Sequence, residues 1–126
     1  MDDQREIGIL IAANLPATRN ALKIFINVQP GLHVVAEAGD SHELFKKVES
    51  TCPEIVLLDW ELLDRATPIL IKAMRALDQQ QFVIVLSCES DHQSAALEAG
   101  ADGFVNIRNP PDELMITINE LFRIND

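Results

Sequence analysis

The chain is expected to fold as one α/β domain built on a doubly wound parallel sheet. Three observations carry that expectation. Short apolar runs alternate with helix-spaced segments five times along 126 residues. The run Ile55-Val56-Leu57-Leu58 has no polar interruption, as a strand covered on both faces requires. Breaks fall at Pro and Gly: Pro30-Gly31, Pro53, Gly100 and Pro110-Pro111.

Taken in order, Ile7-Gly8-Ile9-Leu10-Ile11-Ala12 reads as the first strand. Pro16 opens a helix to about residue 28, with Leu22, Phe25 and Ile26 on its inward face. Residues 32–38 form a second strand, and Asp40 or Ser41 caps a helix that turns Leu44, Phe45 and Val48 inward. The third strand covers 54–59. The next helix, about 67–77, has Leu70, Ala73, Met74 and Leu77 at helical spacing. A strand over 81–87 follows, then a short Ala-rich helix over 91–99 that Gly100 stops. Residues 103–106 make the fifth strand. Pro110-Pro111 starts a last helix through Leu114, Ile118 and Leu121 to about residue 123. This (βα)5 pattern predicts a flavodoxin-like sheet of order 2-1-3-4-5 across residues 1–126, with its switch point between strands one and three.

Composition narrows the function. A formal net charge of −10 with scattered Lys and Arg argues against direct nucleic-acid binding by this domain. No apolar run reaches membrane-spanning length, and 1–6 lack a secretory pattern, so no membrane contact is expected. Cys52 and Cys88 are too few for a disulfide framework and lack metal-ligand spacing; reduced thiols in the cytoplasm are expected. Ligands of open α/β sheets sit beyond the carboxyl ends of the strands, which makes Asp59 the leading candidate for chemistry.

Four segments carry a family resemblance: Val34-Val35-Ala36-Glu37-Ala38-Gly39-Asp40, Pro53-Glu54-Ile55-Val56-Leu57-Leu58-Asp59, Val83-Ile84-Val85-Leu86-Ser87, and Ala96-Leu97-Glu98-Ala99-Gly100-Ala101-Asp102-Gly103-Phe104. Together they resemble the receiver domain of bacterial response regulators, most closely receivers that precede helix-turn-helix output domains. The resemblance implies that Asp59 stands at the position phosphorylated by a partner histidine kinase. It implies that Ser87 is the hydroxyl that bonds the phosphoryl group, and that Phe104 is the aromatic coupled to it. The family also uses two acids at the end of strand one to hold Mg²⁺; this chain has Ala13 and Asn14 there, or Ala12 and Ala13 with a one-residue slip. Where the family has a Lys after strand five, this chain has Ile107. A phosphoryl group adds about −2 charge, and one charge pair at ~4 Å is worth roughly 4 kcal/mol at an effective dielectric near 20. Without the ammonium and the metal, phosphotransfer to Asp59 is expected to be crippled, no cofactor is expected, and the domain is not expected to act as an enzyme.

The leading expectation is therefore a pseudo-receiver, a phosphorylation-independent interaction module for a kinase or output protein. Two alternatives stay open. One is a working phosphoacceptor with an altered site using Glu61 or Arg108. The other is a small-ligand sensor at the switch-point cleft, which Ala13 and Asn14 leave roomier. Trp60 and Cys88 flank the site as candidate shading or packing groups, and Trp60 also as a partner contact. Glu61 and Asp64 are expected in solvent, and His33, His42 and His92 on the surface. Ile24 and Val28 on the first helix, and Met115, Ile116 and Phe122 on the last, exceed what one buried stripe uses. They mark either a homodimer or partner surface, or a simple helix–helix seam.

Overall fold

The structure is a computed structural model that describes residues 6–62, 66–77 and 81–124. Five strands are hydrogen-bonded in parallel in the order 2-1-3-4-5. They are β1 (Ile7–Ala12), β2 (Leu32–Ala38), β3 (Ile55–Asp59), β4 (Phe82–Ser87) and β5 (Gly103–Asn106). The helices are α1 (Pro16–Asn27), α2 (Ser41–Thr51), α3 (Thr67–Ala76), α4 (Gln93–Ala99) and α5 (Asp112–Ile124), with a 3₁₀ turn at Ser90–His92.

Alternation along each strand sends side chains to opposite faces, and each face has its own core. Leu10, Val56, Leu58, Val83 and Val85 pack against Leu44 and Val48 of α2, Leu70, Ile71 and Met74 of α3, and Ala96 and Ala99 of α4. On the other face Ile9, Ile11, Ile55, Leu57 and Ile84 meet Ile26 of α1 and Leu114 and Ile118 of α5. The first and last helices thus share one face, as their apolar spacing and the strand order predict. In α3 the buried positions are Leu70, Ile71 and Met74. Ala73 and Leu77, expected inward, are exposed. The helix ends at Ala76, so residue 77 no longer follows its inward stripe.

Other boundaries move by one to three residues for local reasons. Asp40 is the cap of α2: its carboxylate accepts from Glu43 N at 2.8 Å, and Glu43 Oε1 accepts from Gly39 N at 2.8 Å. Glu54 lies just before β3, where its Oε1 accepts from Gly8 N at 2.7 Å. The expected start of the fourth helix at 91 is a 3₁₀ turn, and α4 begins at Gln93. Pro110 and Pro111 precede α5 rather than opening it, because the first backbone donors of the last helix come from Glu113 and Leu114. Phe122, expected nearer the rim, packs edge-on against Phe82 with ring centroids 5.2 Å apart.

One polar staple ties α3 to the far end of the sheet. Gly100 closes α4 at φ 115°, a conformation that glycine adopts without strain. Arg75 reaches that turn from α3 and donates to Gly100 O from Nε at 3.1 Å and Nη2 at 2.9 Å, and to Gln81 O at 2.8 Å. It also pairs with Asp102, whose Oδ2 accepts from Val83 N at 2.8 Å. Removing the guanidinium leaves carbonyls and a carboxylate short of donors. Arg75→Ala is expected to lower stability by about 2–3 kcal/mol and Arg75→Lys by less, read from urea melts. An unchanged midpoint for the alanine variant would show that solvent replaces the staple.

Candidate functional site

The site lies at the carboxyl ends of β1, β3 and β4. Ile55 through Leu58 are fully buried, so Asp59 is the first residue of β3 to reach the edge of the core. It pairs with Leu86 across the sheet, and Trp60 N donates to Leu86 O at 2.8 Å, which fixes the strand end. Asp59 Oδ1 accepts from Glu61 N at 3.0 Å. Burial lifts the Asp59 carboxyl above its ordinary range; the Glu61 N–H bond opposes that shift, and the Glu61 carboxylate adds to it.

Ala13 is buried and Asn14 half-buried just beyond β1. Arg19 closes over this turn: its Nη1 donates to Ala13 O at 2.7 Å and Asn14 O at 3.1 Å, and its Nε lies 3.4 Å from Glu37 Oε1. Lys23 joins Glu37 at 2.8 Å and, through that hydrogen bond first, holds its carboxyl below the usual range. Among the described residues, the groups at this end of the sheet do not make up a divalent-cation site. Such an ion needs several oxygen ligands. Here the end of β3 offers one half-buried carboxylate, that of Asp59, and at the β1–α1 turn a guanidinium already occupies the Ala13 and Asn14 carbonyls. Among the described residues no cluster of three or more His, Cys, Asp or Glu is grouped to hold a metal.

Ser87, at the end of β4, is 2% exposed. Its Oγ accepts from Glu89 N at 3.0 Å and lies 2.8 Å from His92 Nδ1. The His92 ring stacks on Trp60 with centroids 4.2 Å apart and planes at 9°. The expectation that His92 is a plain surface residue is therefore corrected: the 3₁₀ turn carries it back over the strand ends. His42 is exposed, and His33 pairs with Glu6 at 3.1 Å away from the site. Phe104 is half-buried against the core on the α3–α4 face. Cys88 is a half-buried free thiol. Ile107 is 54% exposed, yet it lines a cavity of about 360 Å³ together with Asp59, Thr18 and Leu22. Glu61 is exposed and meets Asp59 through its N–H; Arg108 is exposed and its N–H turns onto Asn106 Oδ1. Asp64 lies outside the described residues.

Arg19 and His92 escaped the sequence reading. Arg19 carried one signal: it is a cation near the start of a helix whose first turn has no acid, against the helix dipole. His92 carried none, because its partners are brought to it by the turn.

Comparison with known proteins places this geometry. The response regulator receiver domain model matches residues 9–119, and the chain belongs to that family. It is 27% identical over 124 residues to the uncharacterized transcriptional regulatory protein YxjL of Bacillus subtilis, covering 94% of this chain and 55% of that protein. It is 25% identical over 122 residues to the nitrate/nitrite response regulator NarL of Escherichia coli K12, covering 95% and 56%. The chain thus spans about half the length of these curated relatives. A LuxR-family two-component response regulator from Aurantimonas superposes with a TM-score of 0.86 at 28% identity, over 92% of this chain and 84% of that one. This is a receiver domain of the two-component response-regulator type. Among the described residues no helix is long and apolar enough to cross a membrane.

The raised Asp59 titration has a sign. The folded state holds that proton to higher pH than the unfolded chain, whose Asp titrates near about 3.9. Stability is therefore lost as pH rises through the folded value. Asp59→Asn keeps an acceptor for Glu61 N–H and removes the charge. Its melting temperature is expected to exceed the wild type's near pH 7 and to converge with it near pH 3. A constant difference across that range would remove ionisation as the cause.

Proposed function

We propose that this receiver works as a phosphorylation-independent interaction module in two-component-type signalling. The observation that carries the reading is the charge layout around Asp59. Ile107 stands on the cleft wall where the family's ammonium is expected, and Arg19 is spent on the Ala13 and Asn14 carbonyls and on Glu37. Transfer of a phosphoryl group to a carboxylate needs positive charge aimed at the transferring oxygens. The alternative, a phosphoacceptor rescued by Glu61 or Arg108, draws no support from an exposed Glu61 side chain and an exposed Arg108.

The proposed partners are a histidine kinase or an output protein. The curated relatives named as transcriptional regulators motivate that choice. The proposed contact surface is the outer side of α1 and α5, where Ile24 is 67%, Val28 70% and Ile116 55% exposed. Self-association through this face is the simplest use of it.

Two outcomes are expected. Millimolar Mg²⁺ should leave the emission of Trp60 unchanged, and a small phosphodonor or beryllofluoride should leave no adduct at Asp59 by mass spectrometry. Saturable quenching together with a labile phosphoryl adduct on Asp59 would overturn the reading. Ala13→Asp, Asn14→Asp and Ile107→Lys combined should move the domain toward phosphorylation, with Trp60 and Cys88 holding recovery below full. Separately, Ile24→Glu with Ile116→Glu should weaken association in sedimentation while the melting curve stays cooperative. A monomer before and after excludes self-association through this face.

A further inference from the structure

A second cavity, of about 290 Å³, adjoins the one beside Asp59. The two share Ala21, Leu22, Leu86 and Ile107 on their walls. The first reaches Thr18 and Asp59; the second continues between α1 and the start of α5 to Phe25, Pro111 and Leu114. Their combined scale suits a small molecule, and the lining is mostly aliphatic.

The polar groups on the walls are unevenly committed. Asn106 donates to Ser90 Oγ at 2.9 Å and accepts from Arg108 N at 2.9 Å. Asn109 donates to Glu113 Oε1 at 2.5 Å. Among the described residues, Asp59 is the one charged side chain on either wall. Among the described residues its Oδ1 is held by Glu61 N, and its Oδ2 has no partner. Two cations of α1 are engaged elsewhere: Arg19 on the β1–α1 carbonyls and Glu37, and Lys23 on Glu37. A half-buried carboxylate at the end of an apolar cleft is stabilised by a cation that arrives with its own apolar body.

We propose that the adjoining cavities bind a small, elongated amphipathic cation, with a protonated amine on Asp59 and an alkyl or aryl body laid along Leu22, Leu86 and Ile107 toward Leu114. Burial of Asp59 supports this choice of charge, since a seated cation offsets the desolvation that raises its pKa. The site goes beyond the interaction role above and does not depend on it, because it requires no protein partner, only a free Asp59 carboxylate.

Three probes with one body separate charge from hydrophobicity: 4-phenylbutylamine, 4-phenylbutanol and 4-phenylbutyrate, titrated at neutral pH and followed by backbone amide chemical shifts. The amine is expected to give saturable shifts at Ala21, Leu22, Leu86 and Ile107, and to bind about tenfold tighter than the alcohol, as a charge-assisted hydrogen bond implies. The carboxylate should bind weakest. Asp59→Asn should bring the amine to the level of the alcohol, and Ile107→Lys, which adds a like charge to the wall, should weaken the amine selectively. Melting curves confirm that both variants are folded; if Asp59→Asn is not, the Ile107→Lys comparison decides. The proposal is overturned if no probe gives saturable shifts at these residues. It is equally overturned if the carboxylate matches the amine, or if the amine keeps its advantage in a folded Asp59→Asn variant.

Discussion

Burial of β3 from both sides is the constraint on which the rest of this domain depends. Ile55 and Leu57 point to one core, Val56 and Leu58 to the other, and all four are fully shielded from solvent. A strand so enclosed must be central and must be flanked by parallel neighbours whose crossover helices cover both faces. It also dictates where polarity can begin. Asp59 is the first position at which the strand leaves the apolar slab, so the site's key carboxylate is placed by packing rather than by any loop.

What surrounds that carboxylate then decides its chemistry. The parallel order sets the ends of β1, β3, β4 and β5 along one edge of the sheet, and each supplies a different kind of group. The β1 end supplies backbone carbonyls, and these are already satisfied by Arg19. The β4 end supplies Ser87, held by Glu89 and His92 under the Trp60–His92 stack. The segment after β5 supplies the aliphatic Ile107. Architecture and site rest on different residues, because the sheet depends on apolar burial and the site depends on a few side chains at its rim.

Much of the fold was legible in the sequence because burial leaves a periodic imprint. Uninterrupted apolar runs marked the strands, 3.6-residue spacing marked α1, α2 and α5, and Asp40, Gly100 and the prolines marked the joints. The errors fell where local preference is weak. Ala73 and Leu77 follow helical spacing but lie off the inward face or past the helix end. Glu54 precedes β3, yet its backbone already bonds both neighbours, its N–H donating to Gly8 O at 2.9 Å and its O accepting from Phe82 N at 2.9 Å.

The amino-acid sequence by itself determined the five-unit parallel architecture, its family, the placement of Asp59 at the end of β3, and the identity of Ala13, Asn14 and Ile107 around it. Each of these depends on residue type at a position along one element. Only the tertiary structure decided that Arg19 closes the β1–α1 turn, that His92 joins Ser87 to Trp60, and that Asp59 and Ile107 share a cleft running toward Leu114. Those contacts join residues from separate elements or turns, and their geometry arises from packing the helices onto the sheet, which no local spacing encodes.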